Sequence, residues 1–130
     1  MNPWDYVRAA LSVRGGLTAG ATIPRLERRL PPTVIPERQI EALRRLASYP
    51  SDGYLPLTLP FIHAFPAHLS NMLDERFPFP VMGTVHVRTT IHQVRPIGSG
   101  QKIEALCYVE GHRDTDKGVE FDLCTDISVG

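Results

Sequence analysis

Hydrophobic positions change their period partway along this chain. Before Gly83 they recur at helical spacing or in short apolar clusters, and from Gly83 onward they mostly alternate with polar residues. The first helical signal is NPWDYVRAALSVRGG. There Asn2 is a cap, Pro3 suits the first helical position, Trp4, Val7, Ala10 and Leu11 form one stripe, and Gly15-Gly16 ends the element. Ala21 to Leu30 reads as a strand that Pro24 confines to an edge or a bulge. After Pro31-Pro32, the run from Ile35 to Ser48 predicts an amphipathic helix. It has Ile40, Leu43, Leu46 and Ala47 on one side and a Glu41–Arg45 pair four residues apart.

The stretch from Tyr54 to Gly83 organises the rest. It contains a short helix seed, Ala67 to Asp74, bracketed by Pro60, Pro66, Pro78 and Pro80. Ala67, Leu69, Met72 and Leu73 leave it little polar surface, and a helix apolar on most sides is buried on most sides. Three runs with strand patterning follow. Gly83 to Val94 alternates Val85, Val87 and Ile91 with His86, Arg88 and His92. Lys102 to Gly111 is apolar on both faces and so reads as a central strand. Val119 to Val129 alternates throughout. Turn clusters at 97–100 and 114–118 join them into an antiparallel meander. The prediction is an α+β fold, an antiparallel β-sheet wrapped around a central helix.

The 130 residues suffice for one domain with a real core, divided here into an N-terminal helix and loop (1–20) and a core (21–130). Formal net charge is zero, so neither a nucleic acid nor a membrane surface is implied. The early arginines, Arg25 to Arg45, fit a solvated face better than a binding patch. No apolar run approaches a transmembrane span of about 18 residues, and the start lacks a signal pattern. With Cys107 and Cys124 outside any metal spacing, a cytoplasmic protein with reduced, packed thiols is expected.

Candidate chemistry rests on histidine, the side chain suited to acid–base work near neutral pH. His63 and His68 lie five apart, which is not a metal-ligand spacing on a helix. His86 and His92 share a strand face but lie about 20 Å apart at strand rise. No metal or cofactor is expected. Nucleophile elbows, phosphate-binding loops, dinucleotide fingerprints and CxxC pairs are absent.

The run His63-Ala64-Phe65-Pro66-Ala67-His68 resembles the Asp-x-Asn-Pro-x-His loop of MaoC-like (R)-specific enoyl-thioester hydratases, where Asp and His activate water beside the central helix of a hot-dog fold. Pro66 and His68 match it, while His63 stands at the Asp position and Phe65 at the Asn position. More widely, LPFIHAFPAHL, FPFPVMGTVHVRTTI and RPI resemble the N-terminal half of two-part members. The resemblance implies a hot-dog-like fold and a hydratase or dehydratase, or a component of one, acting on an acyl-CoA or acyl-ACP thioester. It implies His68, with His63, as acid–base residues, and Ser70 as a supporting group. Phe65, Pro66, Met72 and Gly83 are implied as substrate contacts. It also implies a homodimer, or pairing with a second hot-dog half, and the ending at Gly130 suggests a truncated or stand-alone half. The unmatched Asp and Asn leave a second possibility, a non-catalytic half that binds the acyl chain beside a catalytic partner. His68 itself can be read as a catalytic group or as a buried histidine bonded to backbone.

Overall fold

A computed structural model describes residues 2–11 and 13–130. The elements are α1 (Pro3–Leu11), β1 (Glu27–Val34), α2 (Glu37–Ala47), α3 (Leu59–Leu73), a 3-10 turn at Val81–Gly83, β2 (Lys102–Thr115) and β3 (Gly118–Val129). The strands form an antiparallel sheet in the order β1-β2-β3. β2 is central, as its apolar residues on both faces predict. Ile103, Ala105, Cys107 and Val109 are its buried side. Its hairpin with β3 closes at Thr115 and Gly118, where a φ of +129° requires glycine. Within the hairpin the register slips between Glu110 and His112, at Gly111 with φ +58°.

The first strand differs from its prediction. It spans Glu27–Val34 instead of Ala21–Leu30, and it includes Pro31-Pro32. Two residues without N–H groups fit because β1 is an edge strand and its register with β2 shifts between Leu30 and Thr33.

The central helix is also longer than its seed. α3 starts at Leu59, with Pro60 in the first turn, and runs through Pro66 to Leu73. Pro60 costs nothing there because first-turn N–H groups have no intrahelical partner. Pro66 removes the bond to the Ile62 carbonyl, but both residues face solvent, where water can satisfy that oxygen. Ala64 and Ala67 pack on Ala105 and Cys107, so the helix approaches the sheet over small side chains. Asn71, fully buried, donates from Nδ2 to the Cys107 carbonyl at 3.0 Å. Leu69 and Met72 continue the contact into a cluster with Leu26, Phe77 and Val109.

A distant arginine finishes α3. The Arg14 guanidinium donates to the carbonyls of Met72 (3.1 Å), Leu73 (3.1 Å) and Asp74 (2.8 Å), and also to that of Phe77. Those of Met72 and Leu73 are among the carbonyls a helix end leaves without partners. Just beyond, Asp74 accepts from Arg76 at 2.9 Å and from Arg28 of β1 at 3.1 Å. The Arg76 guanidinium and backbone N–H, then Arg28, hold that carboxyl well below the usual carboxylate range.

Three further expectations change. On α2 the ion pair is Glu41–Arg44 at 2.7 Å, not Glu41–Arg45; Arg44 is buried and also donates to the Tyr54 carbonyl. Ile40 is buried and Leu43 half-buried, but Leu46 and Ala47 face solvent. On α1 the stripe of Trp4, Val7 and Leu11 is exposed, and it is Ala9 that turns inward.

The largest difference lies after Gly83. The run from Gly83 to Val94 forms no strand, and residues 85–96 are all exposed. Among the described residues it pairs with no element of the sheet. Alternation marks a segment suited to half-burial, but a strand also needs a neighbour to take its N–H and C=O groups. The outer edge of β3 and this segment instead stand on either side of an open cleft.

Arg14→Ala should destabilise the protein by about 2–3 kcal/mol, the loss of charged hydrogen bonds to buried carbonyls. The check is the urea midpoint, expected to fall at unchanged m.

Candidate functional site

Seating the alanines of α3 on the sheet also fixes where the neighbouring side of the helix points. Phe61, Phe65, His68 and Met72 follow at i, i+4, i+7 and i+11, and so share one stripe. Phe61, Phe65 and Met72 line the cleft, with Gly83 and Val87 on one wall and Thr125 and Ile127 of β3 on another. The cleft has a volume of about 1990 Å³.

His68 lies within this stripe, with no exposed surface. Its Nε2 is 2.6 Å from Thr125 Oγ1, and its Nδ1 is buried without a partner. Burial lowers its pKa from the ordinary imidazole value, so the ring is neutral at pH 7. The Phe61 ring stands 6.3 Å away, centroid to centroid. Cys107 lies beneath, its thiol pushed up by burial and donating to the Ala64 carbonyl at 3.8 Å. Asn71 adds a second buried atom without a partner, Oδ1.

A neutral imidazole on a threonine hydroxyl can accept or release one proton. Water activation by such a pair usually also draws on a carboxylate that fixes the tautomer and stabilises the imidazolium. Among the described residues no carboxylate hydrogen-bonds to or ion-pairs with His68.

The predicted site residues divide in two. Phe65, Met72 and Gly83 meet on the cleft, with His68 buried beside them. His63 is half-buried and does not line it, because five residues turn a helix by roughly 140°. Pro66 and Ser70 also face elsewhere, into a small hollow with Asp5, Arg8, Arg28 and Asp74. His86 and His92 reach the cleft from its outer wall. Among the described residues no cluster of histidine, cysteine or carboxylates could hold a metal. Thr125 was not singled out as a site residue. Its alternation placed it inward, but only the register, Cys107 opposite Thr125, sets it over His68.

No family model matches the sequence. Over 76 residues the chain is 37% identical to 3-hydroxyacyl-thioester dehydratase X of Mycobacterium tuberculosis. That match takes in 58% of this chain and 27% of the relative. The crystal structure of HtdX of Mycobacterium tuberculosis superposes with a TM-score of 0.74 at 29% identity, over 80% of this chain and 45% of that one. The hot-dog-like α+β fold predicted from the sequence is the fold they share. The chain thus resembles a 3-hydroxyacyl-thioester dehydratase in sequence and the solved HtdX chain in fold, in each case over part of the relative. It spans about a quarter of the curated relative's length and less than half of the solved chain.

Two outcomes follow from the buried imidazole. Thr125→Val leaves both ring nitrogens without partners and should cost about 1–3 kcal/mol in chemical denaturation. The pH dependence has a definite sign. The folded pKa of His68 lies below 6.5, so the unfolded chain binds the proton first. Its contribution to stability is therefore complete above pH 6.5 and lost as pH falls below it, by up to about 1.4 kcal/mol per pH unit. His68→Gln should flatten that limb of the midpoint-against-pH curve.

Proposed function

We propose that this chain works as an acyl-thioester hydratase or dehydratase, or as a component of one, with an enoyl or 3-hydroxyacyl thioester as substrate. The observation that carries the reading is the 37% identity to a 3-hydroxyacyl-thioester dehydratase, joined to an apolar cleft along the stripe that holds His68. The acyl chain lies against Phe61, Phe65 and Met72, where burial of each methylene is worth about 0.8 kcal/mol. His68 is the acid–base group, with its Nε2 presented through Thr125. His63, outside the cleft, supports from the other side of α3. The reading takes the carrier as CoA or acyl-ACP, the compartment as cytoplasmic, and the assembly as a homodimer or a pair of hot-dog halves.

One observation favours a second reading, a non-catalytic half that shapes the acyl pocket: His68 is fully buried and has no carboxylate partner among the described residues.

Hydration of crotonyl-CoA, followed by loss of the conjugated thioester absorbance, separates the two. Under the first reading the chain turns over and His68→Ala abolishes it. Acyl-CoA binding without turnover leaves the second, and neither binding nor turnover defeats both. In either case affinity should rise about fourfold per added methylene until the cleft is filled. Phe65→Asp should weaken binding at least about tenfold.

A further inference from the structure

Two side chains of α3 end on one rung of the sheet, and each leaves a polar atom over. His68 Nε2 reaches Thr125 Oγ1 at 2.6 Å, and Asn71 Nδ2 donates to the Cys107 carbonyl at 3.0 Å. Cys107 of β2 and Thr125 of β3 are ladder partners, so the two side chains arrive side by side. They also start as neighbours, since His68 and Asn71 lie three apart on the helix. Neither residue has any exposed surface. The atoms left over are Nδ1 of the ring and Oδ1 of the amide.

Elementary chemistry limits what each of these atoms can do. The Asn71 amide cannot be turned over, because only its NH2 group can donate to a carbonyl. Oδ1 is therefore an acceptor in need of a donor. Among the described residues the buried side-chain atoms without a partner are Arg44 Nε, His68 Nδ1 and Asn71 Oδ1. Arg44 belongs to α2, where it is held by Glu41 and the Tyr54 carbonyl. The Cys107 thiol is committed to the Ala64 carbonyl at 3.8 Å. That leaves the His68 ring, whose Nδ1 carries the hydrogen in one of its two neutral tautomers. Each unpaired buried atom is destabilising, and one bond between these two removes both penalties. The torsions that aim an imidazole or an amide are broad, so a small turn of either closes the contact.

We propose that Asn71 is a positioning residue for His68, in which Nδ1–H donates to Asn71 Oδ1 and the lone pair is held on Nε2. The Thr125 hydroxyl then donates to Nε2, leaving its own oxygen free to accept. When Nε2 takes up a proton, Nδ1 keeps the one it has, and the two N–H groups of the imidazolium have Thr125 and Asn71 as acceptors. An amide oxygen thereby fills the tautomer-setting role that a carboxylate has beside other catalytic histidines, with less charge stabilisation. Nδ2 of Asn71 anchors the helix, and Oδ1 serves the ring. The inference rests on the acid–base reading of His68 for its use in catalysis, but its test reads the ring and not turnover.

The test is heteronuclear NMR of the histidine rings in the full chain at neutral pH, with His68→Gln identifying the signals of His68. In the unsubstituted chain the hydrogen should sit on Nδ1 and the lone pair on Nε2. Asn71→Leu should move the hydrogen to Nε2, which then donates to Thr125. A residue that only anchored the helix would lower stability on substitution and leave the tautomer as it was. Asn71→Asp keeps an acceptor in place, so the Nδ1–H form should persist. The added charge should also raise the proton affinity of His68 at least about tenfold, because an adjacent carboxylate favours the imidazolium. Three results would overturn the proposal. The first is hydrogen on Nε2 in the unsubstituted chain, a reading that depends on no variant folding. The second is an unchanged tautomer in Asn71→Leu, and the third is no gain in proton affinity in Asn71→Asp. Failure of the chain to hydrate crotonyl-CoA, with Nδ1–H in place, would defeat the catalytic reading and leave the pairing standing.

Discussion

The contact on which the structure turns is the close seating of α3 on the sheet. Ala64 and Ala67 meet Ala105 and Cys107, all with 5% or less of their surface exposed. Only small side chains on both sides allow this approach, because interiors are packed without room for added methylenes. The bond from Asn71 to the Cys107 carbonyl then stops the helix from rolling. With the roll fixed, the position of every other side chain on α3 follows from the helical period. Phe61, Phe65 and Met72 face the cleft, with His68 buried beside them, for no other local reason.

That seating explains why a histidine is tolerated in so dry a place. Burying an imidazole is costly in its charged form and modest in its neutral form, provided one nitrogen is bonded. Thr125 supplies the bond, and burial keeps the ring neutral. Two polar atoms still go without partners here, His68 Nδ1 and Asn71 Oδ1. Native interiors leave few such atoms, and those that remain mark strain, chemistry or an absent partner. Both belong to α3 side chains that the seating sends inward.

Much of this architecture was legible in the residues. α2 announced itself by Ile40 and Leu43 at helical spacing after Pro36, and the β2–β3 hairpin by its alternation and its Asp116-Lys117-Gly118 turn. The start of α3 was not legible, because Pro66 normally argues for a boundary. It is harmless here only because the carbonyl it orphans faces water. The Glu41–Arg44 pair was missed for a similar reason. A positive charge in the buried stripe reads as an outward residue until the Tyr54 carbonyl is seen receiving it. Of the cleft lining, sequence reached Phe65, Met72 and Gly83 but not Phe61, one turn before Phe65 on the same stripe. It could not reach Thr125, whose placement over His68 is a matter of strand register and so of long-range pairing.

The segment from Gly83 to Val94 shows where reading by pattern stops. Alternation reports which face of a segment can be buried, and local sequence carries that information fully. Whether it becomes a strand depends on an edge supplied from elsewhere, and in this structure the nearest edge, β3, stands across a cleft. The same gap bears on chemistry. A proton transfer at His68 gains most where water is excluded and the local dielectric is low. The imidazole already sits in such surroundings, fully buried and shifted toward neutrality, but the apolar stripe beside it does not, with Phe65 at 39% exposure. A segment laid along the outer edge of β3 would also lie over the apolar stripe, so closing the backbone gap and drying that stripe are coupled.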